Sequence, residues 1–215
     1  MKLVRKKEIW IPTWKGCILG FLLIGGLGYG AVRTLYPFLA QNHPQPGAEI
    51  VIIEGWLPDA ELQSLSARIP AGVLVVTTGG PVTFGESLLK EKTYAAVTAA
   101  RLRLLGMADE KIICAPAPDV QCDRTYASAL AARDALAQRE LLGKSCNVYS
   151  AGAHSRRSLY LYKLAFGADY PLGAISLESQ EYDLRHWWRS SLAFKQVLGE
   201  FISWIYTLFS SCKYA

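Results

Sequence analysis

Cys146-Asn147-Val148-Tyr149-Ser150-Ala151-Gly152-Ala153-His154-Ser155-Arg156-Arg157 changes character halfway along. Its first half reads as a β-strand, a glycine breaks the run at Gly152, and a helical pattern follows from Ser155. A strand that passes straight into a helix is the repeating unit of a parallel α/β sheet. The same junction suits an anion. Free backbone N–H groups and the positive end of the helix dipole meet there, and His154 and Arg157, spaced i and i+3, add two donors on one helix face.

Four further runs share the type: Glu49–Glu54, Val73–Thr78, Lys111–Cys114 and Leu172–Leu177 are short and apolar on both faces. Such runs fit strands covered by helices on both sides. Between them lie helical segments rich in Ala, Leu and Arg at about 59–69, 91–106, 125–142 and 155–166. This alternation predicts a Rossmann-like, doubly wound α/β domain with a mainly parallel five-stranded sheet and right-handed crossovers. With strand order 3-2-1-4-5, the ligand crevice opens at the C-terminal strand ends where the order reverses. Glu54-Gly55-Trp56 would then face Ser150–His154, and Thr78-Gly79-Gly80-Pro81 and the loop leading to Arg124-Thr125 would share the edge.

The 215-residue chain, 51% hydrophobic, has room for this core and for an element outside it. That element comes first: Gly16–Val32 is uncharged and apolar, at the short limit for a bilayer span, with Trp14 and Tyr36 near its ends. Lys2, Arg5, Lys6, Lys7 and Lys15 precede it, so the positive-inside rule predicts a cytoplasmic N-terminus and an extracytoplasmic remainder. A cleaved signal peptide is the alternative, because Gly26 and Gly28 suit cleavage positions; the length of the apolar stretch favours a retained anchor. The expected organisation is a basic N-terminus over 1–15, a transmembrane helix over 16–37, a Pro-containing linker over 38–47, an α/β domain over 48–187, and a C-terminal helix and tail over 188–215. That last helix is expected to pack on the sheet, with the membrane surface as its alternative. The net charge of +5 belongs to the anchor: residues 34–215 hold 17 basic and 17 acidic side chains, which argues against nucleic-acid binding.

Several residues on the predicted edge can carry chemistry. His154 is the candidate acid or base, with Glu54 orienting it or acting as base. Arg157, Arg124 and Thr125 are candidates to hold a phosphate or carboxylate, and Gly55, Trp56, Gly79, Gly80 and Gly152 to let a ligand approach. Asp123 reads as a helix N-cap, Glu86 as a loop acid, and the loop from Val82 to Ser87 as a lid. Three scattered histidines without H-x-x-x-H or C-x-x-C predict no metal site. Cys114 and Cys122 flank a loop, where pairing and two free thiols are both open.

In this order, Ile50–Gly55, Thr78-Gly79-Gly80, Leu105-Gly106, Arg124-Thr125 and His154-Ser155-Arg156-Arg157 resemble the YdcF-like domain family, including its SanA- and ElyC-like membrane-anchored envelope members. The resemblance covers residues 49–177. It departs from the family pattern at Arg124, where the family has Asn, at Ala127-Ser128 and at Tyr94. It implies a Rossmann-like fold, one membrane helix, and a role in envelope or peptidoglycan integrity at the bacterial inner membrane. The expected ligand is a small anionic or lipid-linked envelope molecule, such as a polyprenyl phosphate; catalysis by phosphoester hydrolysis or group transfer through His154 is left open. The alternatives are a non-enzymatic scaffold of envelope assembly and an S-adenosylmethionine or nucleotide binder.

Overall fold

Five strands, β1 (Ile50–Glu54), β2 (Leu74–Gly79), β3 (Ile112–Pro116), β4 (Cys146–Ala151) and β5 (Leu172–Leu177), form one all-parallel sheet in the order β3-β2-β1-β4-β5. The computed structural model describes residues 11–70, 72–83 and 90–209. Side chains alternate across each strand, and both faces are apolar. Ile50 and Ile52 of β1 face one layer with Val76 and Val148; Val51 and Ile53 face the other with Val75 and Ile112.

Helices cover both layers. On one face α2 (Asp59–Ser66) supplies Leu62 and Leu65, and α3 (Tyr94–Leu104) supplies Ala99 and Leu102. On the other, α4 (Arg124–Ala137) supplies Ala129, Ala132 and Leu136, and α5 (Ser155–Phe166) supplies Leu159 and Tyr162. The crossovers therefore change face between β3 and α4, as a doubly wound sheet with right-handed connections requires. Strand order reverses between β1 and β4, whose residues pair from Ile50↔Cys146 to Ile53↔Tyr149.

The N-terminal helix α1 (Trp14–Leu39) is long and apolar enough to cross a membrane. Thr13 caps it by accepting from the Gly16 N–H at 3.3 Å. Its exposed length ends at the domain, where Tyr36 and Leu39 are buried with Ala153, Trp187, Ala193 and Val197.

Two expectations need correction here. The Pro-containing stretch after α1 is docked along the sheet: His43 exchanges two backbone hydrogen bonds with Ala174, and Asn147 clamps Gln45 by donating to its carbonyl (3.0 Å) and accepting from its N–H (2.7 Å). An amide side chain on β4 thus supplies the donor and acceptor that a strand edge would. The last helix, α6 (Ser191–Phe209), follows a 3-10 segment at Leu184–Arg189 and packs on α1, α5 and the 3-10 turn Gly152–His154 instead of the sheet. Both sheet faces are already filled by α2 to α5, so the apolar side of α6 finds its partner in the exit end of α1.

Candidate functional site

A crevice of about 810 Å³ opens where β1 and β4 part, lined by Trp56, Gly80, Thr125, Gly152, His154 and Arg157 among others. Its position follows from the strand reversal. Its chemistry has two ends.

At the first end, β4 runs through the 3-10 turn Gly152–His154 into α5, placing His154 and Arg157 one turn apart. Arg157 is not an open anion clamp. Its Nε and Nη2 donate to Glu200 Oε2 and Oε1 of α6 at 3.0 and 3.1 Å, a bidentate pair that matches its charge. His154 Nδ1 lies 3.0 Å from Glu200 Oε2 and 2.9 Å from Arg157 Nη2. Arginine only donates and a carboxylate only accepts, so Nδ1 has a partner whether or not it carries a proton. The other ring nitrogen, Nε2, is buried and has no hydrogen-bond partner among the described residues. Trp56 packs against the imidazole in a T-shaped arrangement, with 5.5 Å between ring centroids.

Glu54, at the end of β1, is completely buried. It accepts from Ser158 Oγ at 2.8 Å, its Oε2 has no hydrogen-bond partner, and its Oε1 is 3.7 Å from His154 Nε2, beyond hydrogen-bond range. Burial raises its pKa above the ordinary carboxylate value, an effect that His154, Ser150, Ser158 and Arg157 only partly offset. Glu200 goes the other way. Burial alone would raise it, but the His154 and Arg157 contacts hold it at about 2. One imidazole thus sits between a carboxyl that favours its proton and a carboxylate that gives its proton up.

The second end is the start of α4. Asp123 occupies the N-cap position in a left-handed conformation (φ 51°), and its side chain makes no capping bond, which corrects the expected cap. The first turn of α4 is thus not capped by the Asp123 side chain. Arg124 is exposed on the crevice wall and has no ion-pair or hydrogen-bond partner among the described residues. Ser128, one turn on, is 1% exposed and belongs to the crevice lining, and its Oγ has no hydrogen-bond partner among the described residues. Thr125, also buried, lies between them. Thr78 Oγ1 donates to the Ser128 carbonyl at 2.8 Å and ties this helix end to β2.

The glycines divide differently from expectation. A Cβ on Gly55 would fall 2.6 Å from the Tyr94 backbone, and one on Gly79 2.7 Å from Tyr94 Cβ, so both make room for the start of α3; neither lines the crevice. Gly152 (φ +38°) faces Tyr36 of α1, whose hydroxyl would be 3.1 Å from a Cβ there. Gly80 does line the crevice. Gly55→Ala is expected to cost more than about 3 kcal/mol, since backbone cannot yield as a side chain does. Thermal unfolding in detergent, with Gly80→Ala as a tolerated control, measures this.

Glu200 escaped sequence reading because it lies 46 residues from His154 in a segment with the pattern of an amphipathic helix. An acidic residue within the apolar run Val197–Ile205 was its one signal. Glu86 and most of the expected lid lie outside the described residues. Cys122 is disulfide-bonded whereas Cys114 is a free thiol, which removes the Cys114–Cys122 pairing; Cys17 and Cys146 are also free, and Cys212 lies outside the described residues. No cluster of metal-ligating side chains occurs among the described residues.

Comparison with protein-family models, curated proteins and solved structures gave no match for this chain.

Proposed function

We propose that this chain is a single-pass protein of the bacterial inner membrane, of YdcF-like type, whose extracytoplasmic domain binds a phosphate- or carboxylate-bearing envelope molecule in the crevice and serves envelope or peptidoglycan integrity. One observation supports the ligand class: on the crevice lining at the start of α4, the Arg124 guanidinium and the buried Ser128 hydroxyl have no partner among the described residues. The anion therefore belongs at Arg124, Thr125 and Ser128, not at Arg157. His154, backed by Glu200 and facing Glu54, is the group placed to exchange a proton with it.

Farnesyl phosphate and inorganic phosphate, titrated into the full chain in detergent, test this by calorimetry. Arg124→Gln is expected to weaken binding by about 10-fold or more, the worth of one charge-assisted hydrogen bond, without lowering the melting temperature. Equal binding by wild type and variant refutes the assignment. The orientation is supported by the basic residues before α1 and by the Cys122 disulfide, which suits an oxidising compartment. Alkaline phosphatase fused after Gly47 is expected to be active; an inactive fusion reverses the topology.

A further inference from the structure

From Leu184 to Gly199 the sequence carries Arg185, His186, Arg189 and Lys195 and no acidic residue. The flanking acids face other partners: Asp183 lies 2.7 Å from His186 Nδ1, and Glu200 pairs with Arg157. The segment is fixed at a definite height along α1. Trp187, 2% exposed, donates from Nε1 to the Val32 carbonyl at 3.1 Å, and the Arg33 guanidinium sits 5.8 Å above the Trp188 ring.

Val32 ends the uncharged stretch and Trp14 lies just before it. At the rise of an α-helix they are about 27 Å apart, close to the thickness of a hydrocarbon core. The 3-10 segment and the start of α6 thus lie where the acyl region gives way to headgroups. There the chain turns outward what that zone selects: Leu192 and Phe194 are 44% and 46% exposed, Trp188 is half-buried, and Arg185, Arg189 and Lys195 are exposed. Aromatic rings and aliphatic side chains flanked by cations match the chemistry of an anionic lipid surface.

We propose that Leu184–Lys195 is a membrane-docking collar around the exit of α1, with Trp188, Leu192 and Phe194 immersed at the interface and Arg33, Arg185, Arg189 and Lys195 on anionic phospholipid headgroups. This rests on the reading of α1 as a membrane span. Two features choose lipid over a protein partner: the surface is continuous with the span, and its net charge is positive, the sign that anionic phospholipid headgroups attract. A second copy would bring like charges together.

The test uses the full chain in vesicles of phosphatidylcholine, with or without phosphatidylglycerol, whose acyl chains are brominated either near the headgroup or near the bilayer centre. Trp188 emission is read as the difference between wild type and Trp188→Phe. Leu192→Trp in that background provides a second reporter at a tolerant, exposed position. Both reporters are expected to lose most of their emission to the shallow bromines and less to the deep ones. Phosphatidylglycerol should deepen the loss, and the combined Arg185→Gln, Arg189→Gln and Lys195→Gln variant should abolish that deepening. Unquenched reporters in a chain that resists carbonate washing overturn the collar while the anchor stands. Release of the chain by carbonate overturns the anchor and the collar with it. A cross-linked dimer that protects both reporters overturns the collar in favour of self-association.

Discussion

Glu200→Ala is expected to lower the unfolding free energy of the chain in detergent by up to about 3 kcal/mol at pH 7, and by progressively less as the pH falls. The carboxyl sits at about 2 in the folded chain against 4.5 as its ordinary value, and about 1.4 kcal/mol accompanies each pH unit of difference. Because the folded pKa is the lower one, its contribution is complete above pH 4.5 and disappears as the pH falls towards 2. The side chain is about one-quarter exposed, so solvent screening trims the value. The substitution also strands Arg157 and removes the carboxylate from His154 Nδ1. A double-mutant cycle with Arg157→Ala should show coupling of about 1–3 kcal/mol. Urea unfolding at several pH values measures both quantities; a pH-independent loss would mean that Glu200 acts through packing alone.

Glu54→Gln should behave in the opposite sense. Wild-type Glu54 has a folded pKa above its unfolded value, so its acid form fits the fold and its anion does not. Stability is then fully present below the ordinary carboxylate range and falls as the pH rises through the raised value. A glutamine keeps the acceptor for Ser158 and never ionises. The variant is expected to gain on wild type as the pH rises from the ordinary carboxylate range through the raised value of Glu54. In the same variant the ionisable group 3.7 Å from His154 Nε2 is gone. If the chain serves the envelope as proposed, a stabilised variant that fails an envelope-complementation assay would separate a functional role of Glu54 from its structural one. Parallel pH curves for variant and wild type would mean that Glu54 is charged in the fold.

The sheet was legible because its signal is local and repeated. Each apolar run is bounded by glycine, proline or polar residues, and the helical patterns between them leave only one common architecture. The crevice was legible for the same reason, since strand order fixes where it opens. What escaped was every relation that depends on a distant partner. Arg157 looked available until Glu200 arrived from α6, and Gly55 and Gly79 looked like ligand contacts until Tyr94 filled the space beside them. Asp123 has the composition of a cap but not the backbone of one, because the loop enters α4 through a left-handed residue. Residues 41–47 have linker composition, yet their backbone groups meet Asn147 and Ala174, a pairing 102 residues distant in the case of Gln45.

That last pairing sets how the crevice meets its ligands. Val32 is held by Trp187, Leu39 and Gln41 by Ser155, His43 by Ala174 and Gln45 by Asn147, so no pivot is left between α1 and the sheet. With α1 in a bilayer, the domain is a bracket and not a float: it keeps one tilt and one elevation, and diffuses only laterally. For a ligand carried in the bilayer, as proposed above, occupancy would then follow the number of ligand molecules per unit area of membrane within that one plane, so dilution of the lipid and not of the surrounding fluid would empty the crevice.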